Sequence, residues 1–354
     1  MVMGKEKYVA YVGTYTHGSS KGIHIYDMDV EKGTLQERKV VPISNPSDLT
    51  VSKDGKYLYS IADEGVQAFR ILQDGDLEPI NKKWIGGMRG CFVETDEKNR
   101  YLFVAGYHDG RVSMMKLEED GSIGEIADGV FHMGIGRNVG ERNSRPHVNC
   151  VKLTPIKQDY LCAVDGGLDH VKIYRLDYEK GKLIIADILR CPMDSAPRMI
   201  RFTKDGRFAY VLCELKNTVE VYRYEYSEKG PVFDFVQSVA TVGKREQKLC
   251  GASGMEITED DKYLFCSNAG TNDVVIFEID AETGKLTEIC NSKISGDYPK
   301  NIGIFPDGQH FISLNHDTNE ITIFRVHYDK NCFLMENRPI KIETPNCIHI
   351  HKLV

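Results

Sequence analysis

The chain has 354 residues, of which 41% are hydrophobic and 27% charged, and its formal net charge is −7 at pH 7. This length suits two average domains or one large all-β domain, and the apolar fraction argues against wholesale disorder. The negative charge argues against a protein that binds nucleic acid or an anionic membrane over a broad basic face. A local basic cluster on such a chain can still hold a small anionic ligand.

Neither the N-terminal segment nor the cysteines indicate export or a metal site. Residues 1–18 contain no apolar stretch of signal-peptide length, and no apolar run approaches membrane-spanning length. The ten cysteines form no C-x-x-C pair, and several lie in apolar runs, where cysteine is typically a small core residue. We therefore expect a cytoplasmic protein without a cofactor, without a metal, and without nucleic-acid or membrane partners.

A pattern of two strands around a D-G-K-like turn recurs along the chain. The complete copies occupy residues 47–61, 91–105, 148–164, 198–212, 254–267 and 301–314. After each copy come an alternating apolar segment and a second turn of the form E/D-x-G-x-L, which is degenerate after the last copy. Including the leading fragment, the second-turn glycines are Gly33, Gly75, Gly121, Gly181, Gly230 and Gly284. A repeat of roughly 40–60 residues made of short strands and glycine turns predicts one four-stranded propeller blade per copy.

The two ends of the chain each contribute part of one further blade. The leading fragment holds only three strands, and the C-terminal "NCIHIHKL" reads as a fourth. We therefore predict an all-β fold, a seven-bladed β-propeller of four-stranded antiparallel blades in which pairing of the N- and C-terminal strands closes the ring. A single domain would then span residues 1–354, and eight blades is the main alternative.

Polar residues cluster where the strands of each blade open onto one face. In a propeller, the start of the innermost strand and the end of the second strand lie on the same face, beside the central channel. At these positions the sequence has Asp48, Arg89, His147, Arg198, Ser253 and Lys300, then Asp63, Tyr107, His108, Asp165, Glu214, Asn268, Asn315 and His316, with Thr14 and Tyr15 from the leading fragment. Loops converge here on a rigid scaffold, so we expect the functional site on this face.

Three of these residues can form an acid/base and oxyanion set. Arg198 and Glu214 stand at opposite ends of one hairpin, so Glu214 should return beside Arg198. His147 begins the preceding blade and should be their neighbour across the channel mouth. An imidazole, a guanidinium and a carboxylate on one opening suit general base and oxyanion chemistry. Each of these residues also has a purely structural interpretation. His147 could hydrogen-bond a loop, and Arg198 and Glu214 could form an ion pair that only stabilises the fold.

Three segments resemble the lactonase family of seven-bladed propellers, which includes propeller-type 6-phosphogluconolactonases and fungal carboxymuconate cyclases. They are "RPHVNCVKLTP", "APRMIRFTKDGRFAYVLCELKNTVEVY" and "YLFCSNAGTNDVVIFEID", and the resemblance runs blade by blade over the whole chain. It implies that the family's catalytic roles fall on His147, Arg198 and Glu214. Two motifs depart from the family pattern: "YPKNI" places Lys300 where arginine is usual, and "ASGMEI" places Gly254 where an acidic residue is usual.

Several further residues are candidates for substrate binding. They are Lys300, Arg89, Asn268, Arg145 and Tyr15. The loop 134–147 carries Arg137, Arg142 and Arg145, which form either an anion-collecting lid or a solvated charge run. His349 and His351 project to one face of the closing strand, but no carboxylate cluster matches them, so no metal site is predicted.

These features lead to three hypotheses for function. The first is a lactone hydrolase that acts on 6-phosphogluconolactone, with a small anionic lactone or sugar acid as its partner. The second is a cycloisomerase acting on a carboxymuconate-like polycarboxylate. The third is a non-enzymatic propeller that binds a protein or peptide, because a fold does not dictate a function. The oligomeric state is left open.

Overall fold

The structure, a computed structural model, describes residues 6–136 and 144–353. The described chain is built from β-strands arranged in seven antiparallel sheets. In chain order the strands are β1 (Tyr8–Thr14), β2 (Gly22–Asp29), β3 (Thr34–Pro42), β4 (Leu49–Val51), β5 (Tyr57–Ala62), β6 (Gly65–Ile71), β7 (Leu77–Lys83), β8 (Phe92–Thr95), β9 (Tyr101–Gly106), β10 (Arg111–Leu117), β11 (Ile123–Phe131), β12 (Val148–Leu153), β13 (Tyr160–Asp165), β14 (His170–Asp177), β15 (Lys182–Arg190), β16 (Pro197–Phe202), β17 (Phe208–Cys213), β18 (Thr218–Glu225), β19 (Val232–Ala240), β20 (Gly251–Ile257), β21 (Tyr263–Ala269), β22 (Asp273–Ile279), β23 (Leu286–Lys293), β24 (Pro299–Ile304), β25 (His310–Asn315), β26 (Glu320–His327), β27 (Cys332–Met335), β28 (Ile340–Lys341) and β29 (Pro345–Lys352).

Each sheet is one blade, and the sheets follow one another in chain order. Blade 1 has the order β29-β1-β2-β3, and blades 2 to 6 each take four consecutive strands, from β4–β7 to β20–β23. Blade 7 comprises β24–β27, with the two-residue β28 also paired to β26. The predicted seven-bladed propeller of four-stranded blades is thereby confirmed. In the described part of the chain, no helix is long and apolar enough to cross a membrane.

The burial of the strands follows from their radial position. The second strands β9, β13 and β17 are buried at every residue, because a neighbouring blade covers each of their faces. The outermost strands β3, β15 and β19 are largely exposed. Apolar side chains between adjacent blades form the core, and this explains why the second strand of each repeat is a continuous apolar run.

The turns use the glycines that the repeat singled out. All six second-turn glycines have positive φ, as at Gly121 (φ 83°). A Cβ atom at this position would lie 2.2 Å from the ring of Tyr57 in the neighbouring blade. The turn therefore needs glycine both for its backbone conformation and for the close approach of the blades.

The C-terminal strand closes the ring as the innermost strand of blade 1. β29 pairs antiparallel with β1, from Tyr8 opposite Lys352 to Thr14 opposite Pro345. Cys347, which pairs with Gly13 near the start of β29, is 2% exposed. The pairing confirms the prediction for the two termini and covers a strand edge that would otherwise be open.

The inner strands of five blades carry a β-bulge at the same place, near the channel mouth. The pairing shifts register around Asn149 in β12, Arg198 in β16, Ser253 in β20, Lys300 in β24 and Asn346 in β29. A bulge adds one residue to a strand, and it therefore changes the alternation of the side chains that follow. These five residues line the central channel.

Candidate active site

A cavity of about 500 Å³ opens at the face where the inner strands begin. Many of the residues that the sequence placed on this face line it: Tyr15, Asp48, Arg89, Tyr107, His108, Arg198, Glu214, Ser253 and Lys300. Tyr298, which the sequence did not place there, lines it as well. The cavity is therefore the candidate functional site of the protein.

Arg198 and Glu214 meet in the wall of this cavity, as predicted. Nη1 of Arg198 donates to Oε2 of Glu214 at 2.8 Å, and Nε donates to the carbonyl oxygen of Ser253, also at 2.8 Å. Burial by itself would lower the pKa of Arg198, but the groups around it, chiefly the Glu214 carboxylate, offset this effect and keep the pKa above its usual value. The result is a charged guanidinium held in one plane by two contacts.

A second layer of ion pairs lies deeper in the channel, and the sequence reasoning missed it. Nη2 of Arg201 contacts Oε1 of Glu256 at 2.7 Å, and Nζ of Lys152 contacts both oxygens of Glu94 at 2.9 Å. These four residues line the first cavity and also a second one, of about 360 Å³, beyond them.

The bulges account for this omission. Strict alternation puts Arg198 and Arg201, three positions apart, on opposite faces of a strand. The bulge at Arg198 adds one residue and brings both onto the channel, and Asn149 and Lys152 follow the same pattern. Polar residues at the start of an inner strand and again three positions later are the sequence signal that would have predicted this layer.

His147 does not line the cavity but lies behind its wall. Its side chain stacks on the ring of Tyr107, with centroids 4.3 Å apart, and the residue is 1% exposed. Nδ1 lies 2.8 Å from the carbonyl oxygen of Tyr107. Since a carbonyl oxygen only accepts, Nδ1 carries the proton and Nε2 is the basic nitrogen of the neutral ring. Tyr107 itself lines the cavity, so His147 is one side chain further from it than expected.

A chain of aromatic and basic side chains runs along the rim from blade 3 to blade 7. Arg89 lies over the ring of Tyr15 at 5.1 Å, and Tyr15 contacts His316 edge-on at 5.6 Å. His316 contacts Tyr298 at 5.9 Å, and Nζ of Lys300 lies 5.5 Å from the Tyr298 ring. We call these five residues the rim chain. It places two cations on one side of the cavity mouth.

Tyr298 holds its place in the rim chain with an unusual backbone. Its φ is 57°, a left-handed conformation that is rare for a residue with a bulky side chain. Such conformations cluster at functional sites, where the surrounding structure maintains them. Tyr298 also lines the same cavity as Arg198 and Glu214. The rim chain and the Arg198–Glu214 pair therefore belong to one site.

Three further titratable groups line the cavity and limit its chemistry. Burial raises the pKa of Asp48 to about 7, and Oδ2 of this residue accepts the backbone N–H of Val93 at 2.8 Å. Burial also raises the pKa of Cys91 to about 12 and lowers that of His349 to about 3. A thiol with so high a pKa is a poor nucleophile near neutral pH.

The structure corrects the expected position of two substrate-binding candidates. Asn268 is fully buried outside the cavity, where its amide contacts the Thr241 hydroxyl at 2.7 Å and the Asp273 carboxylate at 2.7 Å. Its polar atoms serve to join strands, so a strand-end position did not imply access to the channel. Arg145 is exposed and does not line the cavity. The other two arginines of the expected lid, Arg137 and Arg142, lie outside the described residues.

Known proteins resemble this chain over nearly its whole length. The family model described as "Lactonase, 7-bladed beta-propeller" matches residues 9–350. A Bacillus subtilis protein named 6-phosphogluconolactonase is 29% identical over 97% of this chain and 98% of its own length. A Formosa agariphila protein of the same name is 30% identical over 89% of this chain and 91% of its own.

A solved structure has the same fold. The Pseudomonas aeruginosa periplasmic gluconolactonase superposes with a TM-score of 0.91 at 26% identity, covering 98% of this chain and all of that one. The match to the family model covers all seven blades, including the closing strand to Ile350. The chain belongs to the lactonase family of seven-bladed β-propellers.

Proposed function

We propose that the protein is a lactone hydrolase that converts 6-phosphogluconolactone to 6-phosphogluconate in the cytoplasm. The observation that carries this proposal is the Arg198–Glu214 pair, set in the wall of a cavity whose rim holds Arg89 and Lys300. A lactone carbonyl needs a donor for its developing oxyanion, and a phosphorylated substrate needs cations nearby. The names of the Bacillus and Formosa relatives support the same substrate.

Arg198 is the group that we assign to the oxyanion of the tetrahedral intermediate. Its Nε and Nη1 are held by Ser253 and Glu214, and its Nη2 makes no hydrogen bond to the described residues. A donor that is fixed before the reaction needs no reorganisation when the negative charge develops. One such donor typically accelerates the chemical step by about 10²–10³-fold.

His147 is the group that we assign as general base for the attacking water. The hydrogen bond to the Tyr107 carbonyl keeps a proton on Nδ1, so Nε2 is the basic nitrogen of the ring. General-base catalysis of this kind contributes about 10²–10⁴-fold. Glu214 is the alternative base, because it lines the cavity directly while His147 lies behind Tyr107.

Lys300 and Arg89 are the groups that we assign to the substrate phosphate. Both lie on the rim chain, and both line the cavity. A lysine ammonium is a compact charge that suits a phosphate better than a planar carboxylate, which favours the two-pronged geometry of arginine. Lysine at position 300 therefore favours a phosphorylated lactone over a muconate-like polycarboxylate.

Comparing two lactones tests both the activity and the phosphate site. Hydrolysis of freshly made 6-phosphogluconolactone and of gluconolactone is followed by proton release near pH 6.5, for wild type, Lys300→Met and Lys285→Met. Lys285 is exposed on the outside of blade 6 and serves as the control. We expect catalysis by the wild type with at least a tenfold preference in kcat/KM for the phosphorylated lactone. Lys300→Met should lose most of that preference, chiefly through KM, and Lys285→Met should keep it.

Other outcomes would change the assignment. Equal rates with both lactones, unaffected by Lys300→Met, would remove the phosphate site and keep the hydrolase. No rate above spontaneous ring opening with either lactone would overturn the hydrolase. Loss of the ultraviolet absorption of a conjugated muconate would then identify a cycloisomerase.

A further inference from the structure

The wall of the central cavity that blades 1 and 2 contribute carries two polar atoms without a partner. They are Oγ of Ser47, which lies two residues before β4, and Oδ1 of Asn346, the second residue of β29. Both residues line the cavity, yet neither atom makes a hydrogen bond within residues 6–136 and 144–353. The hydrolysis proposed above gives no role to either residue.

Both side chains are too deeply buried for bulk water to satisfy these atoms. Ser47 is 5% exposed and Asn346 is 8% exposed. Buried polar groups are nearly always hydrogen-bonded, and a buried donor or acceptor that stays unpaired costs free energy. Two such atoms in one wall of a cavity therefore indicate that a molecule bound there supplies their partners.

The contact between the two residues decides which atom of the Asn346 amide needs a partner. Nδ2 of Asn346 donates to the carbonyl oxygen of Ser47 at 2.5 Å. Because a carbonyl oxygen only accepts, the amide nitrogen is the atom that faces Ser47, and the unpartnered atom is the amide oxygen. This oxygen also only accepts, so its missing partner is a donor. A carboxylate or a phosphate oxygen without a proton does not satisfy it.

The residue after Ser47 adds to the acceptor character of this wall. The carboxyl group of Asp48 lines the same cavity, and its Oδ2 accepts the backbone N–H of Val93. The Ser47 hydroxyl can both donate and accept. Blade 5, which carries the Arg198 guanidinium, lies across the ring from blades 1 and 2. The cavity therefore has one wall for groups that donate hydrogen bonds and an opposite, cationic wall for oxyanions.

The acceptor wall also adjoins the rim chain. Two residues before Asn346, the Thr344 hydroxyl donates to the carbonyl oxygen of Tyr15 at 2.8 Å, and the Tyr15 N–H donates to the carbonyl oxygen of Thr344 at 3.1 Å. Tyr15 is the rim-chain residue over which Arg89 lies. A cavity of about 500 Å³ holds a molecule of sugar-phosphate size. Such a molecule can place its phosphate at the rim and its hydroxyls on the acceptor wall.

We propose that Ser47 and Asn346 form a hydroxyl subsite, which binds ring hydroxyls of a polyhydroxylated lactone and selects it over lactones without hydroxyls. This inference rests on the lactone hydrolase proposed above and names the part of the substrate that decides its specificity. The amide oxygen of Asn346 accepts from one hydroxyl, and the Ser47 hydroxyl pairs with the same group or its neighbour. A muconate-like polycarboxylate has no hydroxyl to donate and is disfavoured at this wall.

Binding of two phosphate esters tests the subsite without any turnover. Glucitol 6-phosphate and hexyl phosphate share the phosphate and the length of the carbon chain, but only the first has further hydroxyls. Calorimetry gives both dissociation constants for wild type, Ser47→Ala, Asn346→Leu and Thr271→Val. The Thr271 hydroxyl is likewise buried and unpartnered in the described chain but does not line the cavity, so Thr271→Val is the matched control.

We expect the wild type to prefer glucitol 6-phosphate by tenfold or more. Ser47→Ala and Asn346→Leu should each lower this preference by about five- to tenfold, the usual effect of one lost hydrogen bond between neutral groups, and Thr271→Val should keep it. Ser47→Ala removes only one hydroxyl, so it decides the question even where Asn346→Leu folds poorly. No binding of glucitol 6-phosphate to the wild type at 10 mM would overturn the inference. A preference that is absent, that Ser47→Ala leaves unchanged, or that Thr271→Val lowers equally would overturn it as well.

Hydrolysis of 6-phosphogluconolactone by the same proteins separates this inference from the proposal on which it rests. Selective binding by a wild type that opens no lactone would overturn the hydrolase and keep the hydroxyl subsite. Hydrolysis by a wild type that binds both esters equally would keep the hydrolase and overturn the subsite. With both correct, Ser47→Ala lowers kcat/KM for 6-phosphogluconolactone by about five- to tenfold, and Thr271→Val does not.

Discussion

The side chains of Arg198 and Glu214, at opposite ends of one β-hairpin, meet at 2.8 Å in the wall of the central cavity. Both are largely buried, with side-chain exposures of 21% and 11%. Removing one partner leaves a largely buried charge without its counter-ion, whereas removing both leaves no charge to solvate.

The paired substitutions should therefore be strongly non-additive in stability. We expect Arg198→Met or Glu214→Leu alone to lower the free energy of unfolding by about 2–4 kcal/mol, and the double variant to lose less than the sum. Denaturant unfolding of the four proteins measures this coupling. Additive losses would mean that the contact contributes nothing to the fold.

Activity should distinguish Arg198 from Arg201, which lies one layer deeper in the channel. Arg198→Lys keeps the charge but loses the planar geometry, so we expect kcat to fall by about 10²-fold. Arg201→Lys, one layer deeper, should fold and lose much less activity. Equal losses in both variants would remove the assignment of Arg198 to the oxyanion.

Asp48 should make stability depend on pH in an unusual direction. Burial raises its pKa in the folded protein to about 7, while in the unfolded chain it is about 4. Between these values the folded protein binds more protons, so the free energy of unfolding falls as pH rises, by up to about 1.4 kcal/mol per pH unit from this group.

Asp48→Asn removes this dependence while keeping an oxygen for the Val93 N–H. We expect the variant to exceed the wild type in stability at pH 8, with the difference shrinking toward pH 4. Denaturant midpoints over this range measure the effect, and Asp234→Asn on the exposed strand β19 is the control. A difference that does not change with pH would show that Asp48 titrates normally.

His147 should be needed for turnover more than for folding, provided that its volume is kept. The ring packs on Tyr107 and is nearly inaccessible, so truncation to alanine would leave a cavity that costs about 2–4 kcal/mol. His147→Gln should fold with a small loss of Tm and lose about 10²–10⁴-fold in kcat. A fully active His147→Gln would move the role of general base to Glu214, which Glu214→Gln then tests.

The closing strand should be essential for a cooperative fold. A chain that ends after Thr344 loses β29 and leaves β1 with an open edge beside the channel. We expect it to aggregate or unfold far below the wild-type Tm, and a peptide of residues 345–354 to restore part of the stability by strand addition. A chain that ends after Lys352 is the matched control. Normal cooperative unfolding of the short chain would show that the ring holds without closure.

Much of the architecture could be predicted from the sequence because it is a property of repetition. The glycine turns, the continuous apolar second strands and the unfinished blade at each terminus are all visible as spacing. The same regularity placed Arg198 and Glu214 at the two ends of one hairpin. The antiparallel pairing of its two strands brings them together, and this contact does not depend on how neighbouring blades pack.

The repeat pattern does not predict how far a residue lies from the central channel or in which direction its side chain points. Asn268 and His147 stand at strand ends on the correct face, yet one joins strands away from the channel and the other packs behind Tyr107.

The fold, its closure and the hairpin pair could therefore be predicted from the sequence, because these depend on local periodicity and on contacts within one blade. The second layer of ion pairs, the rim chain and the contact between Ser47 and Asn346 became visible only when the blades were placed around the ring. Each of these joins residues from different blades. One residue more in a bulge or loop would reverse the direction of the side chains that follow it and would separate these groups.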